Sequence, residues 1–306
     1  MKSRMPRNRS TKPKIGVIGT INRDTIYRHD GSAVESWGGL LYSIKYLCDE
    51  SVGEIIPVVN LGRDAYEPVM GILNRFRHID TAPIRKVPEK NNHCFLHYHD
   101  QSHKCEILKG GVPPLTFSRL RPIRECDLVV VNFISGSDVT LTALEKFRSW
   151  FAGLIYMDIH SHTLGRRKVE GGHRRHLRRP PHWRRYIGCA DILQVNAVEF
   201  ELLSGMKISR RAAGGFYETE GGHLKCLIVT LGAGGCLVTY RGQRSMSVTR
   251  HVPAVEIKRV YDTTGCGDIF GAGFVAEYLR TKSPLKAARH GTRLAGGRCR
   301  KRGRIF

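Results

Sequence analysis

The sequence predicts an α/β protein with a mostly parallel central sheet between two layers of helices. Three observations carry that prediction. Short apolar runs such as Lys14–Gly19, Glu54–Asn60, Cys126–Phe133, Leu154–Asp158, Ala190–Asn196 and Cys226–Val238 read as buried strands. They alternate with segments whose apolar residues recur at helical spacing, which is the βαβ pattern of a layered fold. At 306 residues the chain is long enough to bury a sizeable core, as one large domain or two smaller ones.

Composition narrows the classes. Hydrophobic residues make up 41% of the chain, which fits a soluble globular protein. No apolar run reaches the ~18 residues of a membrane span. The stretch Met1–Lys14 is basic and lacks an apolar centre, so it reads as a disordered tail over residues 1–13, not as a secretory signal. The nine cysteines are scattered, odd in number and without a Cys-x-x-Cys, which favours free thiols in a reducing cytosol. A formal charge of +23 implies affinity for polyanions in general: nucleic acid, acidic partners or phosphorylated ligands.

The first strand, Lys14–Gly19, runs into Thr20-Ile21-Asn22-Arg23-Asp24, a polar strand end of the kind that binds ligands in open α/β sheets. Trp37-Gly38-Gly39 precedes a helix through Leu40, Leu41, Ile44 and Leu47. The strand Glu54–Asn60 leads to Gly62-Arg63-Asp64 and a helix with Met70, Leu73 and Phe76 on its buried face. In the segment 91–108, His93, His97, His99, His103 and Cys105 share one parity, and on one continuous strand they would share a face able to hold zinc. Asp100-Gln101-Ser102 reads as a turn, however, and a β-hairpin is the better reading.

After the strand Cys126–Phe133 and a helix over Thr140–Phe151, the strand Leu154–Asp158 ends in Asp158-Ile159-His160-Ser161-His162-Thr163. This resembles the opening metal motif of PHP-type phosphoesterases, in which paired histidines hold a metal that activates water. It lies mid-chain and continues Leu164-Gly165-Arg166, unlike that family, so a metal phosphoesterase through Asp158, His160 and His162 is a lesser alternative. Residues 166–185 carry arginine and lysine against the single acid Glu170, with Pro180-Pro181 and Trp183 among them. They read as a basic loop with a short helix after the prolines. Such a loop suits a solvated surface, phosphate contact at the active site, or single-stranded nucleic acid.

Asn196-Ala197-Val198-Glu199 stands at a strand-to-helix turn. The pattern suits a helix cap, and its oxygens suit Mg²⁺. Thr230-Leu231-Gly232-Ala233-Gly234-Gly235 is a glycine turn between two strands. Near the end comes Asp262-Thr263-Thr264-Gly265-Cys266-Gly267-Asp268, followed by apolar Ile269, Phe270, Phe274, Val275 and Leu279. Glycines flanking one small residue let backbone N–H groups face one point, and the helix that starts near Asp268 brings its positive end to the same place. Asp268 there caps the helix or takes a proton from a hydroxyl. Gly271, Ala272 and Gly273 let the helix pack closely, and Ser283-Pro284 opens a last helix through Leu294.

That heptad resembles the C-terminal signature Asp-Thr-x-Gly-Ala-Gly-Asp of the ribokinase-like (PfkB) carbohydrate kinases, with Cys266 in place of alanine. The resemblance extends in order along the chain to Gly19-x-x-Asn22-x-Asp24, Gly38-Gly39, Asn196-x-x-Glu199 and Thr230-x-Gly232-x-x-Gly235. It implies a three-layer α/β/α sandwich over residues 14–306 with a small β lid, placed at about 25–36 and 84–109. It further implies an ATP- and Mg²⁺-dependent kinase acting on a small sugar or nucleoside hydroxyl. Asp268 would be the base, and Gly265, Cys266 and Gly267 the anion hole. Asn22, Asp24, Gly38 and Gly39 would hold the acceptor, with His97 or His99 of the lid facing it. Asn196, Thr230, Gly232 and Gly235 would line the nucleotide, and Asn196 with Glu199 would hold Mg²⁺ through water. Homodimers through the lid are common in that family. Two departures leave the acceptor and the nucleotide open. Leu40, Leu41, Tyr42 and Ser43 stand where an asparagine usually binds sugar, and His290-Gly291-Thr292 where an asparagine often meets adenine. The alternative from a different class is a catalytically silent fold that binds nucleic acid or an acidic partner.

Overall fold

The computed structural model describes residues 12–27, 31–98, 104–242, 246–300 and 306. The chain opens with β1 (Lys14–Ile18) and turns into the antiparallel pair β2 (Ile21–Tyr27) and β3 (Ala33–Gly39). Next come α1 (Leu40–Asp49), β4 (Glu54–Val58), β5 (Asn60–Gly62), α2 (Tyr66–Leu73) and β6 (Arg85–Val87). A second antiparallel pair, β7 (His93–Tyr98) and β8 (Lys104–Lys109), leads through a 3₁₀ turn to β9 (Leu128–Asn132), α3 (Leu141–Trp150) and β10 (Leu154–Asp158). The hairpin of β11 (Leu164–Val169) and β12 (Gly172–Leu177) precedes α4 (Trp183–Ile187), β13 (Ile192–Asn196), α5 (Ala197–Ser204) and α6 (Arg210–Thr219). The chain then runs through β14 (Cys226–Thr230), β15 (Cys236–Arg241), β16 (Ser247–Val252), α7 (Cys266–Thr281) and α8 (Pro284–Cys299).

The main sheet has the order β16-β15-β14-β13-β10-β9-β1-β4. Every pair from β4 to β14 is parallel, and β15 and β16 add an antiparallel edge. Its strands alternate between two cores, because successive side chains point to opposite faces. Val129 and Val131 of β9 pack with α3, α5 and α6 through Phe147, Phe200 and Phe216. Leu128 and Val130 of the same strand pack with α1, α7 and α8 through Leu40, Phe274 and Ala287. Being covered on both sides is why these strands read as continuous apolar runs. In the layer of α1, α7 and α8, Gly273 of α7 lies directly against Gly291 of α8, as the small residues after the heptad predict.

A second sheet, of order β11-β12-β8-β7-β2-β3, lies outside the sandwich. It corrects two expectations. The predicted insert at 25–36 and 84–109 is drawn too narrowly at its start and too broadly at 84: the strands are 21–27, 33–39, 93–98 and 104–109, while β6 pairs with β5 in a separate two-stranded ribbon. The basic segment 166–185 is not a loop. Its first half is the β11–β12 hairpin, which joins this sheet through His173 and Arg174 opposite Leu108 and Ile107 of β8. The short helix after the prolines is present as α4.

Of the predicted tail 1–13, residues 1–11 lie outside the described residues, and the Pro13 carbonyl accepts from Glu54 N at 2.9 Å. The expected turn at 100–102, His99 and His103 likewise lie outside the described residues, whereas the strands on either side form the predicted hairpin. In that hairpin His93 meets Thr25 Oγ1 at 2.8 Å, and His97 stacks on Tyr27 with ring centroids 4.5 Å apart. Among the described residues no group of three or more histidine, cysteine or acidic side chains is arranged to hold a metal ion.

Candidate active site

The parallel strands end together at one edge of the main sheet, and β9, β10, β13 and β14 deliver Asn132, Asp158, Asn196 and Thr230 to it. The N-terminus of α7 arrives at the same edge. Gly265 caps it at φ 75, a left-handed conformation that glycine adopts without strain. The position is closed as well as bent: a Cβ on Gly265 would stand 2.7 Å from the Tyr42 ring of α1. Asp262 braces the approach by accepting from Thr264 N at 2.8 Å and from the buried Arg298 guanidinium of α8.

Asp268 sits in the first turn of α7 and is only 7% exposed. Its Oδ1 accepts from Asn132 Nδ2 at 2.6 Å. Burial pushes the Asp268 carboxyl above the ordinary carboxylate range, while the charge of His160 and the Asn132 amide hold it back. Asn132 is 2% exposed, its Nδ2 also reaches Ser43 Oγ at 3.4 Å, and its Oδ1 is buried with no protein partner. Beneath α7, Tyr156 OH donates to Gln194 Oε1, and Gln194 Nε2 donates to Asp158 Oδ2 at 2.6 Å and to Gly267 O at 3.3 Å. The heptad therefore rests on a buried polar chain from β10 and β13.

Asn196 and Glu199 form a closed capping box at the start of α5. Glu199 N donates to Asn196 Oδ1 at 2.9 Å, and Glu199 accepts from Asn196 N at 2.8 Å and Nδ2 at 2.6 Å. Burial raises the Glu199 carboxyl to about 7 and the Asp158 carboxyl to about 8, with His160 opposing both shifts. Burial alone would lower the His160 ring, but the carboxylates of Asp268, Asp158 and Glu199 raise it above the usual imidazole range. His160 adopts φ 34 at the end of β10 and is thereby turned into this acidic corner. His162 is not: its Nδ1 meets Gly136 O at 3.0 Å, and its ring packs on Phe133 and Tyr186. Asp158, His160 and His162 thus do not converge on one metal, which removes the phosphoesterase motif as read from sequence.

One cavity lies at the N-terminus of α7 and a second at the N-terminus of α5. The first, of ≈ 390 Å³, is mostly apolar, with Val255, Ile257, Phe270 and Ala295 in its wall, and the predicted Thr230, Gly232, Gly235, Cys266 and Gly267 line it. Thr292 of the His290-Gly291-Thr292 segment lines it too, whereas His290 is held by Glu50 at 2.8 Å. Asn196, expected beside the nucleotide, does not line this cavity. It lines the second, also ≈ 390 Å³, with Glu199, His160, Glu106, Arg175 and His176. Asp24 and Gly38, expected at the acceptor, lie beside Tyr42. Asp24 lies against Gly38, where any Cβ would overlap its carboxylate, and the Tyr42 ring stands 3.3 Å from the same point. A Cβ on Gly39, at φ 61, would meet Ile134 at 2.7 Å. Asn22 and Asp24 are both buried on β2, so they come from the second sheet, not from the end of β1.

Sequence reasoning missed Asn132, Tyr42, Gln194 and Arg175. Arg175 of β12 is buried, and its guanidinium donates to Ser135 O at 2.8 Å and Ser161 O at 2.9 Å, beside Glu106. Asn132 and Gln194 offered one signal: each is a polar residue at or near the end of an otherwise apolar strand. The oxygen-rich donors Glu199, Asn196 and Asp158 suit Mg²⁺, which prefers oxygen ligands and keeps several waters.

A family model described as pfkB family carbohydrate kinase matches residues 177–306. A ribokinase of Haemophilus influenzae is 32% identical over 122 residues, which span 38% of this chain and 37% of that protein's length. Among solved structures, Thermotoga maritima ribokinase superposes with a TM-score of 0.73 at 19% identity, covering 95% of this chain and 94% of its own. Arabidopsis thaliana ribokinase, complexed with ribose and ATP, superposes with a TM-score of 0.74 at 17% identity, covering 96% and 95%. The chain has the ribokinase fold, and its carboxy-terminal part, residues 177–306, is similar to the pfkB family of carbohydrate kinases.

Proposed function

We propose that the protein is an ATP-dependent phosphotransferase that phosphorylates a hydroxyl of a small sugar or nucleoside. One observation carries the reading: a buried carboxylate, Asp268, stands in the first turn of α7, where Cys266 and Gly267 line an apolar cavity and Gly265 packs on the Tyr42 ring that also meets Gly38 beside Asp24. ATP occupies the cavity lined by Thr230, Gly232 and Gly235, its adenine against the apolar wall. The acceptor lies by Asn22, Asp24, Gly38 and Gly39. Asp268, held by Asn132, takes the proton of the attacking hydroxyl, and a carboxyl that burial raises above its ordinary range suits that task. The N–H groups at Gly265, Cys266 and Gly267, at the positive end of α7, stabilise the charge on the transferring phosphoryl group. Glu199 and Asn196 would hold Mg²⁺ through water, which would supply neutralisation of the phosphate charge. His160 faces the acidic groups Asp268, Asp158 and Glu199, whose charge raises its ring above the usual imidazole range. A reducing cytosol suits the nine free cysteines, and no described helix is long and apolar enough to cross a membrane. The edge strand β3 offers a route to lid-to-lid dimers, which sedimentation would detect.

The test is ADP production from Mg-ATP over a panel of sugars, sugar phosphates and nucleosides, with Asp268→Asn alongside. Acceptor-dependent ADP is expected from the wild type, with a loss of about 10³-fold in the variant and ATP binding retained. Near-normal turnover in Asp268→Asn would overturn the assignment.

A further inference from the structure

Cys266 and Cys299 come from different helices and meet in the wall of the apolar cavity. Cys266 is the first residue of α7 and Cys299 the last of α8, and both line that cavity. Their sulfurs are 3.3 Å apart, with Cys266 Sγ also 3.6 Å from the Ala295 carbonyl. Both are part-exposed, whereas six of the other cysteines are buried. The backbone on each side is fixed independently of the thiols. Cys299 O accepts from Tyr261 N at 2.8 Å, Arg298 pairs with Asp262, and Cys266 N donates to Thr263 O at 3.2 Å. A disulfide needs a sulfur separation of about 2.05 Å, which places the two sulfurs within about 1.2 Å of bonding distance.

We propose that Cys266 and Cys299 are a dithiol modification site, which a peroxide closes into a disulfide across the cavity wall and thereby blocks nucleotide binding. The effect on ATP rests on the function proposed above; the bond itself does not. Cys299 reacts first, because the Cys266 thiol is already engaged with the Ala295 carbonyl. The Cys299 thiolate attacks one peroxide oxygen, the O–O bond breaks, and the departing hydroxide takes up a proton to leave as water. The resulting sulfenic acid is attacked at sulfur by Cys266, whose proton leaves with the hydroxyl as a second water. The two thiols lose two electrons and two hydrogens, and the peroxide becomes two waters. The bond draws the first residue of α7, part of the anion hole, toward the end of α8. Dithiothreitol reverses it by thiol–disulfide exchange.

The full-length protein is treated with hydrogen peroxide, its remaining thiols are alkylated, and its peptides are weighed. In parallel, calorimetry measures binding of a non-hydrolysable ATP analogue with Mg²⁺. The expected result is a Cys266–Cys299 link, two hydrogens lighter, with analogue affinity at least about tenfold weaker and restored by dithiothreitol. Cys105→Ser should keep this response and Cys299→Ser should lose it, each judged against its own reduced form. The proposal is overturned by absence of the link, by a link through Cys105 instead, by a mapped link that leaves affinity unchanged, or by an equal response in Cys299→Ser. If the reduced protein binds no analogue, the kinase reading fails, and the link alone then decides the site.

Discussion

Asn132 donates its amide to Asp268 at 2.6 Å, and that bond favours the charged carboxylate. Asn132→Ala should therefore raise the Asp268 carboxyl further. The proposed base must be ionised to act, so the acid limb of the kcat profile should move to higher pH in the variant, and an unmoved limb would separate Asn132 from that base. Asp158 and Glu199 make a second prediction. Their folded carboxyls are raised to about 8 and about 7, above the ordinary carboxylate range, so the folded state holds more protons than the unfolded one between roughly pH 4 and 8. Their contribution is present at low pH and is lost as pH rises through that window. Asp158→Asn should flatten the fall in urea midpoint across it, which denaturation at several pH values would measure. The places of Asp268 and Glu199 in the first turns of α7 and α5 were legible because each lies in a local motif. Asn132, Gln194 and Tyr42 were not, because their contacts are with neighbours far away in the chain, as in the sequence separation of 136 from Asn132 to Asp268.

The α7 turn and helix were readable because their signals are local: glycines, an acid in the first turn, and apolar spacing. Gly265→Ala puts a side chain into the Tyr42 ring at a left-handed position. The variant should lose turnover and lower the melting temperature, and a fully active, equally stable Gly265→Ala would contradict the close approach. Phe274 is fully buried between the sheet and α8, and Phe274→Ala should cost about 3–5 kcal/mol in urea unfolding. The β11–β12 hairpin was misread as a loop for a physical reason. Its outward residues Arg166, Arg167 and Lys168 are exposed, and it has no apolar alternation to announce a strand. It is a strand pair because β8 offers an open edge to β12, and no sequence window contains that edge.

At the scale of the whole molecule the charge of +23 has partners in part: Arg184 with Glu220, Arg185 with Glu145, and Arg148 with Asp191. The excess should make the protein stick to any polyanion at low ionic strength and release it in moderate salt without sequence preference, which filter binding across a salt series would record. The layered sandwich was legible from strand and helix alternation, since a doubly covered parallel sheet writes itself into the chain as apolar runs. The extent of the second sheet was not, because its six strands come from three separate parts of the chain. Arg175 gives that sheet a further property. Its guanidinium grips carbonyls that follow β9 and β10, while β2 continues directly from β1, so the sheet is fastened to the sandwich on both sides. A flap hinged on one side swings; a panel fixed on two can only bow. Traffic to and from the proposed acceptor site then depends on flexing of the sheet, and releasing one fastening should change how fast molecules enter and leave more than how the chemistry proceeds.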